Sequence, residues 1–164
     1  MRMRWIRRTA LLAATAAIVV LAACAPFKGG PPAAAPLPFD SANPQAQELY
    51  YIVNNERAAN GLGPVAWHEQ LGGLAQSWSD YMAVTGNYSH QDLDAVLQNP
   101  AYAGYSGLGE NILHGGCGIS AAQMDQAWMN SSEHRANILG NFSGVGIGVA
   151  CNGGDLYATE EFGR

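Results

Sequence analysis

Residues 144–151 alternate small and large side chains in the pattern of a β-strand. Glycine or alanine occupies every even position, and valine, isoleucine or cysteine occupies every odd one. Because successive side chains of a strand point to opposite faces, one face is bulky and the other nearly bare. Asn152-Gly153-Gly154-Asp155 follows and is typical of a tight hairpin turn. The pattern therefore predicts a hairpin whose returning strand covers residues 156–162.

Helical signals occupy the stretch before this hairpin. Asn43-Pro44 offers an N-cap and an N1 proline, and Asn60-Gly61 ends this first helix. A second helix follows Trp67 and ends at Gly86, because apolar residues repeat between them at helical spacing. These apolar residues are Leu71, Leu74, Ala75, Trp78 and Met82.

Two further helices are predicted closer to the hairpin. Ser120-Ala121-Ala122-Gln123 is a capping box that opens a third helix, with Met124, Ala127 and Trp128 facing inward. A short helix is expected over residues 132–139. Helices ahead of a hairpin indicate mixed α and β layers and argue against a parallel βαβ sheet.

The first 24 residues have the pattern of an export signal. Four arginines lie within the first eight residues, and an apolar run broken only by Thr15 covers residues 10–23. A bilayer-spanning helix needs about 20 apolar residues, so this shorter run favours a secretory signal. The run ends in Leu21-Ala22-Ala23-Cys24, which resembles the bacterial lipobox. We therefore expect a lipoprotein signal peptide over residues 1–23 and a lipid on Cys24, with a plain or twin-arginine signal as the alternative.

The segment after Cys24 is a predicted tether. Residues 25–42 contain five of the eight prolines, two glycines and an alanine run, a composition that favours an extended, semi-stiff chain. The folded domain is therefore expected over residues 43–164. These features predict an exported protein, anchored by Cys24 to the membrane on the extracytoplasmic side of a bacterial cell envelope.

The chain has three cysteines, and Cys24 is assigned to lipid attachment. An even pair in an exported protein is usually a disulfide, so we predict a bridge between Cys117 and Cys151. The competing interpretation is that His114 and Cys117 form half of a metal site. No second Cys/His pair follows at zinc-finger spacing, so the disulfide is favoured.

Charge excludes one class of partner. From residue 24 onward, four cations face 13 acidic residues, a net charge of −9. Such a surface repels phosphate backbones, which proteins bind through clustered lysine and arginine. We therefore expect no nucleic-acid partner.

Familiar catalytic motifs are absent from the sequence. Residues 104–108 place leucine where a nucleophile elbow needs its second glycine. Residues 144–149 continue as a β alternation and do not form a phosphate-binding glycine loop. His68-Glu69 lacks the second histidine of a helical zinc protease.

A dispersed set of polar motifs resembles the CAP superfamily, also called the SCP domain, of cysteine-rich secretory, antigen 5 and pathogenesis-related proteins. The resemblance runs from about Leu49 to Gly163 and implies an α-β-α sandwich with a central antiparallel sheet flanked by helices, an α+β fold. Its motifs are Val53-Asn54-Asn55-Glu56-Arg57, Asn60-Gly61, Pro64-Val65-Ala66-Trp67, Tyr88-Ser89-His90, Ala103-Gly104-Tyr105, Gly109-Glu110-Asn111-Ile112, Trp128-Met129 with Ser131 and His134-Arg135-Ala136-Asn137-Ile138-Leu139, Val145-Gly146-Ile147-Gly148, and residues 157–163.

The resemblance also implies a site at which His90, Glu110 and His134 converge. The position of a further family glutamate is Ala95 here, so Asp94 or Asp92 is the candidate fourth member. Histidines with carboxylates are ligands for a divalent ion, and His90 and His134 are the candidate ligands for zinc. The alternative is a metal-free hydrogen-bonded cluster, and no cofactor is required.

Other polar and aromatic residues of these motifs are assigned structural roles. Asn111 and Asn137 are expected to bond loop backbones, and Arg135 to pair with a carboxylate. His68 and His114 are interpreted as surface or cap residues. Trp67, Trp78 and Trp128 are expected in the core.

Two classes of function remain. The first is a non-catalytic binding module for a lipid, a hydrophobic ligand, a glycan or a protein of the envelope. The second is a metal-assisted hydrolase in which Glu110 and His134 are catalytic. Since no nucleophile stands at a recognisable spacing, binding is favoured.

Overall fold

The computed structural model describes residues 43–164, so the predicted signal, Cys24 and the tether lie outside the described residues. In chain order the elements are α1 (Pro44–Ala59), β1 (Ala66–Trp67), α2 (Glu69–Thr85), α3 (Leu93–Gln98), a 3-10 turn (Pro100–Tyr102), β2 (Leu108–Gly116), α4 (Ala121–Asn130), α5 (Ser132–Ile138), β3 (Gly144–Asn152) and β4 (Asp155–Gly163). Within residues 43–164, no helix is long and apolar enough to cross a membrane.

The strands form one sheet in the order β1-β3-β4-β2. β4 is antiparallel to both β3 and β2, and the short β1 joins the sheet parallel to β3. α2 covers one face, whereas α1, α4 and α5 cover the other. The α-β-α sandwich with its central antiparallel sheet is confirmed.

The two faces of β3 explain how these layers pack. On the bulky face, Val145, Ile147 and Val149 are buried in the main core with residues of α1 and α4. On the bare face, a Cβ atom at Gly146 or Gly148 would fall within the backbone of α2. The predicted alternation therefore lets a helix lie directly against the strand.

The hairpin and helix ends follow the sequence signals. Gly153 and Gly154 have φ values of 63° and 101°, in the left-handed region that favours glycine. The Asn43 side chain accepts hydrogen bonds from the first turn of α1, and Gly86 ends α2 with φ 70°. Ser120 caps α4 in the predicted capping box.

One residue of α4 was assigned to the wrong face. Ala127 is exposed, and Asp125 is buried beside Met124 and Trp128. Positions 121, 124, 125 and 128 form one stripe at helical spacing, and position 127 lies beside it. The polar character of Asp125 concealed its inward position from a prediction based on apolar residues.

Strand β2 was not predicted from the sequence. This edge strand pairs with β4 from Leu108 to Gly116. Glu110 and Asn111 interrupt its apolar pattern, although both are buried. Their polar groups are satisfied by partners on other elements, which hydropathy along one segment does not show.

The disulfide between Cys117 and Cys151 is confirmed, with 5.7 Å between the Cα atoms. It ties the turn before α4 to the end of β3. His114 is not part of a metal site with Cys117, because its Nε2 lies 3.2 Å from Asp155 Oδ1 and its ring stacks on Tyr157.

Three other assignments are refined. Trp128 is 1% exposed, whereas Trp67 and Trp78 are half-buried at the edges of the core. His68 occupies the N-cap position of α2, and its Nδ1 lies 2.9 Å from Tyr105 Oη. The expected pairing of Arg135 with a carboxylate is wrong among the described residues, because its Nε donates to the carbonyl of Met129 at 2.7 Å. The exposed guanidinium of Arg135 therefore bonds a backbone carbonyl of the preceding helix, α4.

Candidate functional site

His90 and Glu110 lie together at the outer edge of β2, and α5, which carries His134, packs on the same strand. Nδ1 of His90 lies 2.7 Å from Oε1 of Glu110. The Glu110 side chain is 1% exposed, whereas that of His90 is 57% exposed. The site therefore has a buried carboxylate behind an accessible imidazole.

Gln91 holds the Glu110 carboxylate in place. Its backbone N–H donates to Oε1 of Glu110 at 3.0 Å, and its side-chain Nε2 donates to Oε2 at 2.9 Å. With the bond to His90, both carboxylate oxygens have partners. Glu110 is thus a fixed acceptor that orients the His90 ring.

A second carboxyl group lies directly beside Glu110. Glu161 is the cross-strand partner of Glu110 in the β2–β4 pairing, and its Oε1 accepts a hydrogen bond from Gln91 Nε2 at 2.6 Å. Burial raises the pKa of Glu161 well above its usual range; the charge of Glu110 and a hydrogen bond to it raise it further, against the lowering effect of Gln91. Burial and the neighbouring Glu110 therefore favour the protonated form of Glu161.

Two asparagines hold the backbone at His134 against β2, on the face of the sheet that α5 covers. Asn137 Nδ2 donates to the carbonyl of Glu110 at 3.0 Å and to Asn111 Oδ1 at 2.9 Å. Asn111 Nδ2 donates to the carbonyl of His134 at 3.1 Å. These bonds fix α5 against β2, in agreement with the backbone-bonding role predicted for both asparagines.

The electrostatic environment keeps His134 neutral. Burial, and secondly the charge that His90 carries when protonated, lower the pKa of His134, while Glu133 opposes them. At neutral pH His134 is therefore mainly neutral.

A second pair of buried acids lies on the opposite face of the sheet. Glu160 Oε2 accepts from Asn111 Nδ2 at 3.0 Å, but Oε1 has no hydrogen-bond partner among residues 43–164. Burial first, and then Asp125, raise the pKa of Glu160 to about 8. Burial and then Glu56 raise the pKa of Asp125 to about 6. At neutral pH Glu160 is mainly protonated.

The aspartates proposed as a fourth member lie at the start of α3. Asp92 caps that helix, because its Oδ1 accepts a hydrogen bond from the N–H of Ala95 at 3.0 Å. Asp94 is exposed in the first turn. Within residues 43–164, neither aspartate is hydrogen-bonded to His90 or Glu110.

The candidate metal ligands of this site differ in number from those of a zinc site. His90 has one feature of a metal ligand, since a carboxylate holds one ring nitrogen and leaves the other available. Even catalytic zinc has three protein ligands. In the described part of the chain, no three His, Cys, Asp or Glu side chains are placed to hold one ion. The residues present do not make up a zinc site, and the proposed role of His90 and His134 as ligands stays a prediction.

Gln91 and Glu161 were not identified from the sequence. Gln91 stands directly after a motif histidine, but a glutamine carries no signal of its role. Glu160-Glu161 carried a clearer signal, because two adjacent acids interrupt the otherwise largely apolar returning strand predicted over residues 156–162. That interruption could have indicated a polar site on each face of β4.

A surface depression of about 410 Å³ lies away from these residues, between residues 62–64 and 139–143. Arg57 forms part of its wall and donates to the carbonyls of Gly63, Ile138 and Gly140. The guanidinium holds together the chain segments that follow α1 and α5. We assign Arg57 a structural role.

Comparison with known proteins agrees with this fold. Residues 50–162 match the CAP family, described as the cysteine-rich secretory protein family. The chain belongs to the CAP family.

Two bacilli supply similar proteins. The uncharacterized protein YkwD of Bacillus subtilis (strain 168) is 28% identical over 130 residues, covering 72% of this chain and 47% of that protein. The crystal structure of an extracellular protein containing a SCP domain from Bacillus anthracis is also 28% identical, with a TM-score of 0.63 over 73% of this chain and 40% of that chain. This chain thus spans less than half the length of both.

A third protein shares the fold at lower identity. An outer surface protein from Borrelia burgdorferi has a TM-score of 0.63 and is 14% identical, over 76% of this chain and 96% of that chain. At this identity the likeness concerns the fold alone.

Proposed function

We propose that this protein is an exported, membrane-anchored CAP-domain binding module, whose site at the edge of β2 takes a neutral, hydroxyl-rich envelope ligand of the glycan class. The proposal depends chiefly on the hydrogen bonds that Glu110 already accepts. Its two oxygens accept from His90, the Gln91 backbone and the Gln91 side chain. A carboxylate with these partners orients a ring and is poorly suited to take a proton from a substrate.

The ligand class follows from the groups that the site presents. When His90 Nδ1 donates to Glu110, its Nε2 is a hydrogen-bond acceptor on a half-exposed ring. The neutral His134 adds a second imidazole. Sugar hydroxyls donate and accept hydrogen bonds, whereas an anionic polymer is disfavoured by 12 acids against three arginines in residues 43–164.

Export and anchoring are supported by the N-terminal sequence. The run ending in Leu21-Ala22-Ala23-Cys24 fits lipid attachment, and the similar Bacillus anthracis protein is described as extracellular. Two acyl chains suffice for stable anchoring, at about 0.8 kcal/mol per buried CH₂. Cys24→Ala should release the protein or leave it unprocessed. A processed Cys24→Ala protein that still fractionates with membranes would contradict lipidation.

Ligand binding is tested with cell-wall glycan from which anionic polymers have been removed. We expect the full-length protein to co-sediment with it and His90→Ala to lose most of that binding. His114→Ala is the matched control, because His114 is an exposed histidine held by Asp155 at another position. Equal retention by the two variants would contradict the proposed site.

The hydrolase alternative predicts a different outcome. An activated serine needs a base within about 2.6–3.2 Å, and among residues 43–164 no Ser, Thr or Cys side chain hydrogen-bonds His90 or His134. The candidate serines are Ser89, Ser131 and Ser132. Assays with peptide, ester and peptidoglycan substrates should show no turnover. Turnover abolished by both Glu110→Gln and His134→Ala would overturn the binding-module proposal.

A further inference from the structure

An exposed aromatic and apolar patch lies at the C-terminal end of α2. Tyr81 is 42% exposed, Val84 78% and Tyr88 48%. Tyr81 and Val84 share one helix face, being three residues apart. Trp78 stacks on Tyr81 with 4.8 Å between ring centroids, and its Nε1 donates to the carbonyl of Ser89 at 2.9 Å. Trp78, Tyr81, Val84 and Tyr88 together form the aromatic patch.

The sheet beneath holds the aromatic patch in place. Tyr88 Oη donates to the carbonyl of Ile112 at 3.2 Å. Its ring lies 5.9 Å from the ring of His114 and 6.4 Å from that of Tyr157. The half-buried Trp78 packs on the small core of Met82, Ile112 and Tyr157. These contacts hold the rings of Tyr88 and Trp78 against the sheet. An exposed apolar patch of this kind marks an interaction surface.

The aromatic patch lies at the end of the domain where the N-terminal segment enters. Asn152 Nδ2 donates to the carbonyl of Ala83 at 2.9 Å, which joins the end of α2 to the β3–β4 hairpin. Asn43 Nδ2 donates to the carbonyl of Val149 at 2.8 Å, so α1 also begins near that hairpin. Val149 and Asn152 are three residues apart, about 10 Å along a strand.

The sequence between Cys24 and Asn43 sets the reach of this end. Eighteen residues separate the two, and a chain of that length spans at most about 60–65 Å. A lipid on Cys24 would keep the hairpin end within that distance of the bilayer. Tethering gives effective concentrations of about millimolar, so a patch of low intrinsic affinity would be sufficient.

We propose that the aromatic patch is a membrane contact surface that rests on the interface of the bilayer to which Cys24 is attached. This inference rests on the anchoring proposed above. Tyrosine and tryptophan favour the interface, where the ring lies among apolar groups and the polar edge stays hydrated. Val84 supplies the apolar surface between the rings.

The charges indicate which bilayer the aromatic patch suits. Among the described residues, the three arginines lie elsewhere: Arg57 binds the carbonyls after α5, Arg135 binds Met129, and Arg164 lies over the ring of Phe142. Asp80 is exposed on α2 close to the patch. The contact is therefore interfacial and not electrostatic, and we expect it to be stronger on zwitterionic than on anionic bilayers.

The test uses the full-length, lipid-modified protein in zwitterionic vesicles. Val84→Cys and Asn141→Cys are each labelled with an environment-sensitive fluorophore, since Cys24 carries lipid and Cys117 is bonded to Cys151. Both positions are exposed, and position 141 lies in the loop before β3, at the other end of that strand from the hairpin. Brominated lipid should quench emission from position 84 and leave emission from position 141 unchanged.

Mass spectrometry of the N-terminal peptide reports lipidation independently. Lipid on Cys24 with quenching confined to position 84 supports the contact. Lipid on Cys24 with no quenching at either position overturns the contact while anchoring stands. Emission at position 84 that responds to cell-wall glycan and not to brominated lipid overturns the bilayer as occupant. If Cys24 carries no lipid, the proposed membrane anchoring and the proposed membrane contact are both overturned.

Discussion

Glu110 and Glu161 lie opposite each other on β2 and β4, and one amide nitrogen, Gln91 Nε2, donates to both carboxyl groups. Burial raises the pKa of Glu161 well above its usual range, and the neighbouring Glu110 raises it further. Two ionised carboxylates on paired residues would repel each other, which favours the protonated form of Glu161. The oxygens of Glu110 meanwhile accept hydrogen bonds from His90 and Gln91.

Gln91→Ala should loosen this arrangement. Removing the amide leaves an oxygen of each buried carboxyl without its donor, and such losses cost about 1–3 kcal/mol. We expect lower unfolding free energy and weaker glycan binding. Urea denaturation and co-sedimentation measure the two effects. Gln98→Ala, at the exposed end of α3, is the control and should change neither.

Glu160 predicts a decline in stability with rising pH. The fully buried Glu160 has its pKa raised to about 8 from 4.5, so the folded protein binds this proton more tightly than the unfolded chain. The stability that this proton gives is complete below about pH 4.5 and is lost as the pH rises through 8. Glu160→Gln keeps an acceptor for Asn111 and should flatten the decline, as measured by urea unfolding at pH 5 and pH 8. An unchanged pH dependence in this variant, matching that of the exposed control Glu48→Gln, would contradict the assignment.

Two glycine substitutions should have opposite effects. Gly146→Ala places a Cβ inside the backbone of α2 and should destabilise by about 1–3 kcal/mol or more, as overpacking does. Gly73→Ala, on α2 itself, meets no atom within 4 Å and should stabilise by about 0.5–1 kcal/mol. Thermal unfolding of both variants measures the difference. A neutral Gly146→Ala would mean that α2 does not lie against β3.

The disulfide should contribute strongly to stability. Cys117 and Cys151 are 34 positions apart, and the chain-entropy model gives about 3–4 kcal/mol for such a loop. The double variant Cys117→Ser/Cys151→Ser should unfold at lower urea concentration by that amount. Thiol counting on the unfolded, unreduced protein checks the bridge directly, since two free thiols from these positions would exclude it.

Zinc should bind only weakly, because His90 and His134 are two candidate ligands and a catalytic zinc has three protein ligands. Ligation needs neutral imidazole, so affinity should fall as the pH drops below about 6.5. The lowered pKa of His134 also means that folding stability declines as the pH falls through that region. Calorimetry should lose its small signal in His134→Ala. A signal that survives this substitution would place the metal elsewhere.

Several elements were predictable because their signals are local. Gly153 and Gly154 fix a tight turn through backbone conformation, and Ser120 with Gln123 fixes a helix start through its own hydrogen bonds. The glycines of β3 predicted a strand face without bulky side chains, and α2 packs on that face. Each signal is contained within a few consecutive residues.

The site was only partly predictable. The CAP resemblance identified His90, Glu110 and His134, and the structure shows a hydrogen bond between His90 and Glu110; the convergence of His134 on them stays a prediction. Gln91 gave no signal, because its role depends on Glu110, 19 positions later, and Glu161, 70 positions later. β2 was missed because its buried polar residues are satisfied by other elements.

The sequence by itself determined the hairpin, the helix ends, the pairing of Cys117 with Cys151 and the family of the fold. Each of these depends on backbone geometry, on capping within one turn, on the number of cysteines or on ordered motifs. Only the tertiary structure decided that both oxygens of Glu110 accept hydrogen bonds, that burial raises the pKa of Glu161, and that the aromatic patch lies at the hairpin end of the domain, where α1 also begins. Hydrogen bonds, burial and proximity of this kind arise between segments that are far apart in the sequence. No local sequence pattern therefore predicts them.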